Sequence, residues 1–178
     1  MDHEDHVALI RAGVEGAGAR WLELGAGHGA FTLALADLLG PGAEITAVDR
    51  DRRALDDLAR SIRARFPDAR LTLEVADFTV SLPGPGGYFN GVLMANSLHF
   101  VRDKLPVVAA AIERLRPGGR FVLVEYGSDR GNPWVPWAIG YGTWEGLAAR
   151  AGLRNTRRIG AVPSRFLGSI YAAVSERA

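Results

Sequence analysis

An apolar segment that runs directly into three alternating glycines constrains this chain more than any other feature. Residues Arg20 to Leu24 are mainly apolar, glycines follow at positions 25, 27 and 29, and a helical pattern begins at about Gly29. Glycine adopts positive φ at little steric cost, so the backbone can turn sharply here. The free N–H groups in the first turn of the next helix can then bind a ligand. The pattern predicts the nucleotide-binding turn of an open α/β sheet.

Two kinds of nucleotide site fit this turn. Gly25-x-Gly27-x-x-Ala30 satisfies the relaxed dinucleotide pattern, in which the last glycine can be alanine. Glu23-x-Gly25-x-Gly27-x-Gly29 instead resembles motif I of the class I S-adenosylmethionine-dependent methyltransferases, in which the acidic residue faces the methionine end of the cofactor. The loop alone leaves both interpretations open, so the rest of the chain has to decide between them.

Two further acidic residues follow predicted strands. Asp49 lies about 20 positions after Gly29, close to the spacing of a carboxylate that binds ribose hydroxyls. Its alternative role is to cap the following helix, but Asp51 is better placed for that. In the family that the loop resembles, an aspartate after the third strand accepts from the adenine amino group, and a neighbouring backbone N–H completes the recognition. Asp77-Phe78 matches that pair, although an aspartate at a strand end is also a common turn residue.

The chain as a whole resembles the class I S-adenosylmethionine-dependent methyltransferases, in particular the small ubiquinone/menaquinone-biosynthesis-like group of bacterial methyltransferases. Three acidic residues, Glu23, Asp49 and Asp77, lie at or near the ends of the first three predicted strands. This set of three is not typical of dinucleotide dehydrogenases. Residues 115–124 read Leu-Arg-Pro-Gly-Gly-Arg-Phe-Val-Leu-Val, which is similar to the strand-five motif of small-molecule methyltransferases. The resemblance covers residues 20–126 in order and spacing. It implies S-adenosylmethionine as the cofactor and S-adenosylhomocysteine as the product.

The order of predicted elements and the resemblance together imply the fold class: α/β, with a Rossmann-like open sheet of about seven strands. The sheet is expected to be mostly parallel with an antiparallel last strand, and to carry helices on both faces. The length and the 48% hydrophobic content are those of one domain over residues 1–178. Residues 1–19 are predicted to form a short, partly frayed N-terminal helix and linker, 20–126 the cofactor-binding core, and 127–178 a substrate-side loop, a helix and closing strands.

The resemblance also assigns cofactor contacts by motif position. It implies that the glycine loop holds the methionine moiety, that Asp49 binds the ribose and that Arg50 lies along the adenine face. Asn96 is expected to border the sulfonium. The expected cofactor-binding residues are Glu23, Gly25, Ala26, Gly27, Gly29, Phe31, Asp49, Arg50, Asp77, Phe78 and Asn96.

The segment after the predicted fourth strand holds the best candidate for a catalytic base, His99. Ligand sites in such sheets lie beyond the carboxyl ends of the strands, where the strand order reverses, and the first and fourth strands flank that point. Imidazole titrates near neutral pH and suits proton removal from a hydroxyl, an amine or an enol. His99 is equally suited to binding the cofactor or to capping the following loop. A catalytic base is not obligatory here, because many methyltransferases need none. Tyr126 and Tyr141 are the reserve candidates.

Two features distinguish the substrate side. Trp134, Trp137, Tyr141 and Trp144 are interpreted as the wall of an acceptor pocket, since aromatic surface with polar edges suits a small organic substrate. The alternative is that these rings cover the end of the sheet or form an oligomer contact. A loop at 83–87 replaces a helix that many relatives carry, and it is expected to open that edge of the site.

Composition excludes several classes of function. The chain has no cysteine, which excludes disulfides, thiolate nucleophiles and cysteine-ligated metals, and no metal site is expected. A net charge of +1 gives no strong field toward nucleic acid or membranes, and neither is an expected partner. The arginine-rich helix predicted from Asp51 to about Arg65 keeps an RNA alternative open. A cytoplasmic location is expected, with a homodimer as one option.

The predicted function is in-line transfer of a methyl group from S-adenosylmethionine to a small-molecule acceptor that the sequence does not identify. Two alternatives from other classes are retained. One is a nicotinamide-dependent oxidoreductase on the same glycine-rich turn, which would need a further substrate domain. The other is a non-catalytic S-adenosylmethionine-binding partner protein.

Overall fold

One mixed sheet organises the molecule. The computed structural model describes residues 1–82 and 87–178. Within these residues seven strands lie in the order β3-β2-β1-β4-β5-β7-β6, and β7 alone runs antiparallel to the others. The strands are β1 (Arg20–Leu24), β2 (Glu44–Asp49), β3 (Arg70–Val75), β4 (Phe89–Ala95), β5 (Leu115–Tyr126), β6 (Leu153–Ser164) and β7 (Gly168–Arg177). The predicted α/β fold class, with its antiparallel last strand, is confirmed.

Helices cover both faces of the sheet, as predicted. They are α1 (His3–Val14), α2 (Ala30–Leu39), α3 (Arg52–Arg65), α4 (Lys104–Arg114) and α5 (Tyr141–Arg150). Alternate residues of each strand point to opposite faces. Trp21 therefore packs in the core beneath α1, α2 and α3, whereas its neighbour Leu22 packs in the core beneath α4 and α5.

The N-terminal helix is better ordered than the predicted frayed segment. Asp2 and Asp5 form a reciprocal capping box that satisfies backbone N–H groups at the start of α1. Leu9 and Ile10 are buried against the sheet, and the ring of His6 meets the edge of Phe31 with 4.7 Å between centroids. The apolar side of this short helix therefore contributes to the main core.

The element boundaries differ from the predicted ones mainly near turns. The sequence predicts this strand from Arg120, but β5 already begins at Leu115, because Leu115 pairs with Phe89 of β4. The register shifts after this pair, and regular pairing resumes between Arg120 and Gly91. The helical pattern predicts the last helix from Thr143, and α5 begins two residues earlier, at Tyr141. Most of the loop predicted to open the site, residues 83–86, lies outside the described part of the chain. None of the described helices is long and apolar enough to cross a membrane.

Candidate cofactor and acceptor site

A cavity lies at the carboxyl ends of β1, β2, β3 and β4. Its volume is about 530 Å³, within the usual range for small-molecule sites. Strand β1 lies between β2 and β4, so the strand order reverses beside the cavity, where open α/β sheets bind ligands. Seven of the predicted cofactor residues line it: Gly25, Gly27, Asp49, Arg50, Asp77, Phe78 and Asn96.

The glycine loop follows the end of β1 closely and then turns into α2. The N–H groups of Gly25 and Ala26 both donate to the carbonyl oxygen of Val48, at 2.8 and 3.0 Å. Gly25 has φ of 80°, and a Cβ there would collide with Ser97 in the loop after β4. Glycine is therefore required at position 25 both by its backbone conformation and by the close approach of the two loops.

Asp49 uses both carboxylate oxygens to hold the surrounding backbone. One oxygen accepts from the N–H of Gly27 at 2.8 Å, and the other accepts from the N–H of Asp51 at 2.9 Å. A carboxylate has about four acceptor positions, so further hydrogen bonds from a ligand remain available. Asp51 caps α3 by accepting from the N–H groups of Arg53 and Ala54, as predicted. This leaves Asp49 facing the cavity.

Asp77 and Phe78 lie at the tip of β3 on the far side of the same cavity. Oδ1 of Asp77 accepts from the hydroxyl of Thr79 at 2.6 Å and from its N–H at 2.9 Å. These hydrogen bonds, together with the nearby charge of Arg50, lower the pKa of Asp77. The carboxylate is therefore ionised at neutral pH and can accept a hydrogen bond from a ligand amino group.

Asn96 is held in an unusual conformation at the end of β4. Its φ is 52°, which is uncommon for a residue other than glycine. Its N–H donates to the carbonyl oxygen of Val124 at 2.8 Å. Its side-chain Oδ1 is buried and accepts no hydrogen bond from the described part of the chain. An orphaned acceptor beside a cavity indicates a place for a ligand donor.

Glu23 lies outside the cavity lining. Its side chain is fully buried and accepts a hydrogen bond of 2.5 Å from the hydroxyl of Thr32 on α2. Burial, together with the negative charge of Asp49, raises the pKa of Glu23 to about 8, although the bond from Thr32 opposes this shift. Its observed contact is structural: it joins β1 to α2 directly behind the glycine loop.

Three other predicted cofactor residues also lie behind the cavity surface. Ala26 and Phe31 are buried in the core beneath α1, α2 and α3. Gly29 is the N-cap of α2 with φ of 88°, and a Cβ there would collide with Leu58 of α3. These residues shape the loop and are not part of the wall that a ligand would touch.

His99 forms a buried pair with Glu125 of β5. Nδ1 of His99 lies 2.8 Å from Oε2 of Glu125, and the N–H of His99 donates to Oε1 at 3.1 Å. The side chains are only 4% and 0% exposed. The ring of Phe100, which lines the cavity, lies 4.2 Å from the His99 ring between centroids. The carboxylate thus holds the imidazole in one orientation next to the cavity.

The two reserve bases are in less suitable surroundings. Burial and the charge of Glu125 raise the pKa of Tyr126. Burial and a hydrogen bond to Glu145 raise the pKa of Tyr141, whose hydroxyl donates to that carboxylate at 3.1 Å. Both shifts disfavour the phenolate that a base requires, so His99 is the stronger candidate.

The predicted aromatic wall does not form as one surface. Trp144 is fully buried, and its ring packs 5.4 Å from that of Phe121 between centroids, so its assignment to the pocket wall was wrong. Trp134 is 71% exposed on the loop before α5. Trp137 does lie near the site, because its N–H donates to the carbonyl oxygen of His99 at 2.9 Å.

Several residues of the site were missed by sequence reasoning. Ser97, Phe100 and Val101 line the cavity, and they share the loop of Asn96 and His99, so the topology rule that selected that loop could have included them. Glu125 had a weaker signal, as a lone carboxylate among apolar strand residues. Its partner could not be read from the sequence.

Comparison with known proteins identifies the class. A family model described as "Methyltransferase domain" matches residues 22–121, more than half of the chain. The demethylmenaquinone methyltransferase of Tropheryma whipplei is 34% identical over 114 residues, which cover 64% of this chain and 44% of that protein. The 27-O-demethylrifamycin SV methyltransferase of Amycolatopsis mediterranei is 34% identical over 113 residues, covering 62% and 39%. The chain thus spans less than half the length of these curated relatives.

A solved structure shows the same fold over nearly all of both chains. The YcgJ protein from Bacillus subtilis superposes with a TM-score of 0.79 at 15% identity, covering 98% of this chain and 99% of that one. The chain belongs to the methyltransferase-domain family. More particularly, the predicted resemblance to the class I S-adenosylmethionine-dependent methyltransferases is confirmed, and the relatives that the chain matches include ubiquinone/menaquinone biosynthesis C-methyltransferases. The nicotinamide and non-catalytic alternatives are not favoured.

The family's cofactor is S-adenosylmethionine, with S-adenosylhomocysteine as product, and the residues present fit it. The cavity offers open space at Gly27, where a Cβ would meet no other atom within 4 Å. It also offers the carboxylates of Asp49 and Asp77 for hydroxyl and amino donors and the orphaned Oδ1 of Asn96. A nucleoside that carries an ammonium group supplies donors of each of these kinds.

Proposed function

We propose that this protein transfers the methyl group of S-adenosylmethionine to a small organic acceptor that carries an ionisable hydroxyl or enol, with His99 as the general base. The observation that carries the proposal is the buried His99–Glu125 pair beside the cavity at the reversal of strand order. A histidine held by a buried carboxylate suits proton removal.

The cofactor-binding roles follow from the chemistry of the lining residues. Asp49 would accept from the ribose hydroxyls, while Asp77 and the N–H of Phe78 would recognise the adenine edge. Arg50 would lie along the adenine face, and Asn96 would border the methionine portion. Each of these five residues lines the cavity.

The cofactor, when bound, supplies a methyl group on a positively charged sulfur that leaves readily. The protein's own residues then have two tasks. The loop after β4 holds the acceptor within reach of the cofactor cavity, and such alignment contributes several powers of ten in rate. Because Nδ1–H of His99 donates to Glu125, the lone pair lies on Nε2, which takes the acceptor proton while the carboxylate stabilises the resulting imidazolium.

A small-molecule acceptor is supported by the relatives, which are named for demethylmenaquinone and 27-O-demethylrifamycin SV. The similarity makes a quinone-like acceptor the first class to screen. Nucleic acid is disfavoured, since the net charge is only +1. A cytoplasmic location and a homodimer remain predictions.

Titration calorimetry with S-adenosylmethionine, S-adenosylhomocysteine and NAD tests the proposal at its first step. We expect both adenosyl ligands to bind wild type and NAD to give no heat. Asp49→Ala should weaken adenosyl binding at least tenfold, because a carboxylate with charge-assisted hydrogen bonds is lost. The matched control is Asp56→Ala, since Asp56 is exposed on α3 and outside the cavity.

Binding of NAD alone would overturn the methyltransferase proposal. If adenosyl ligands bind, wild type is then screened for methyl transfer to hydroquinones and other phenols. Turnover that is insensitive to His99→Gln would exclude His99 as the base.

A further inference from the structure

A second depression lies between the start of α4 and the exposed side of α5. Its volume is about 460 Å³, and its charged lining consists of Arg102, Lys104 and Arg150 with Asp103 as the one acid. Apolar side chains such as Leu105 form part of the remaining wall. We call this depression the basic groove. It combines an excess of positive charge with apolar surface.

The three cations of the basic groove have no carboxylate within ion-pair distance in the described part of the chain. Among residues 1–82 and 87–178, none of them forms an ion pair with a carboxylate. Nζ of Lys104 donates to the carbonyl oxygen of Val101 at 2.7 Å, and burial lowers the pKa of this lysine. Arg102 lies over the ring of Trp137, 5.1 Å from its centroid. The charge of Glu125 acts on this ammonium without forming an ion pair with it, so an anion bound in direct contact would stabilise it further.

The floor of the groove contains two glycines that the fold does not require. Gly142 and Gly146 lie one turn apart on α5, and a Cβ on either would meet no other atom within 4 Å. Neither has positive φ. Glycine within a helix costs about 1 kcal/mol relative to alanine, so these positions favour another residue unless space is needed. The space they leave belongs to the groove.

The linings of the cofactor cavity and of the groove adjoin along the chain. Val101 lines the cavity and Arg102, the next residue, lines the groove. Trp137, which packs under Arg102, also donates its N–H to the carbonyl oxygen of His99. The cavity and the groove are therefore lined by neighbouring parts of the same segment, next to the loop that carries His99.

We propose that the basic groove binds the carboxylate or phosphate group of an apolar organic anion, and that this anion is the methyl acceptor, with its reactive group held near His99. The acceptor part of this inference rests on the proposed function. The charge of the groove selects an anion, and its apolar wall and glycine floor select an apolar body next to that anion.

Titrations with matched eight-carbon probes test the groove. The probes are octanoate, octyl phosphate and octylamine, which share an apolar chain and differ in charge. Each is titrated into protein saturated with S-adenosylhomocysteine, so that the cofactor cavity is blocked, and into protein without it. We expect at least one anion to bind at least tenfold more tightly than octylamine. The stronger of the two anions distinguishes a carboxylate from a phosphate site.

Three variants locate the binding. Gly146→Leu adds a bulky side chain to the groove at a position where a Cβ meets no other atom within 4 Å, and it should abolish anion binding. Arg150→Gln should weaken anion binding at least fivefold. Arg63→Gln, on the exposed side of α3, is the control and should change nothing. S-adenosylhomocysteine affinity should stay within twofold in all three variants.

The proposal that the groove binds anions would be overturned if octylamine bound as tightly as the two anions, or if anion binding survived Gly146→Leu. Absence of anion binding in wild type would overturn it as well. If wild type did not bind S-adenosylhomocysteine, the result would count against the proposed function and not against the groove. The titrations without S-adenosylhomocysteine would still measure anion binding to the groove.

Discussion

Nδ1 of His99 lies 2.8 Å from Oε2 of Glu125, and the backbone N–H of the same histidine donates to Oε1 at 3.1 Å. One buried carboxylate therefore fixes both the position of the loop after β4 and the tautomer of the imidazole. The arrangement joins two neighbouring parallel strands at the edge that carries the cofactor cavity. Substituting His99 tests the base itself, whereas substituting Glu125 tests the orientation of the imidazole.

The first prediction concerns this pair. His99→Gln should lower kcat by roughly 10²-fold or more, the usual contribution of a general base. Glu125→Gln should lower kcat at least tenfold, because an amide can donate to Nδ1 and shift the proton of the ring to Nε2. Rates are measured from pH 5 to 9 with an acceptor found by screening, and the fall of kcat toward acid pH should disappear in His99→Gln.

The control for the pair is cofactor affinity, which should change less than threefold in both variants. If Glu125→Gln lost cofactor binding and thermal stability together, its role would be structural only.

The second prediction uses the orphaned acceptor of Asn96. Asn96→Gly keeps the positive φ accessible and removes the unpaired buried Oδ1. We expect S-adenosylhomocysteine to bind about tenfold more weakly while the free energy of unfolding without ligand changes by less than about 1 kcal/mol, since no protein hydrogen bond of that oxygen is lost. Calorimetry and urea unfolding measure the two quantities. Unchanged affinity would remove Asn96 from the cofactor site.

The third prediction concerns the pH dependence of stability. The pKa of Glu23 is about 8 in the folded chain against 4.5 for an ordinary glutamate, so the folded state binds the proton more tightly. This contribution to stability is complete below about pH 4.5 and is lost as pH rises toward 8, at up to about 1.4 kcal/mol per pH unit. Glu23→Gln, which cannot ionise, should therefore gain stability relative to wild type between pH 5 and 8.

Urea unfolding at pH 5, 6.5 and 8 measures this difference. Glu74→Gln on the exposed face of β3 is the control and should leave the pH dependence unchanged. A difference between Glu23→Gln and wild type that stays constant over this range would contradict the prediction.

The fourth prediction separates backbone strain from close contact in the glycine loop. Gly25 and Gly42 both have positive φ, but only at Gly25 would a Cβ collide with Ser97. Gly42→Ala should cost about 1 kcal/mol of unfolding free energy, the cost of the left-handed conformation. Gly25→Ala should cost clearly more and should also weaken cofactor binding. Equal costs would show that the two loops can move apart.

Part of this architecture could be read from the sequence because it depends on local chemistry and on general topology. Glycines at 25, 27 and 29 mark a turn whose φ values only glycine adopts easily, and Asp49 and Asp77 follow strands whose apolar pattern is clear. Parallel strands bring their carboxyl ends to one edge. From these features the sheet and the position of the cavity follow without knowledge of any side-chain contact.

The tertiary structure alone decided which side chains face the ligand and which face the core. Glu23 was expected to face the cofactor and instead bonds Thr32, and Trp144 was expected in a pocket wall and instead packs on Phe121. Glu125 was not recognised as the partner of His99, 26 residues away along the chain. The physical reason is that the burial of a side chain depends on residues that are distant in sequence. Local patterns place the backbone, whereas long-range packing determines the surroundings and the charge state of each side chain.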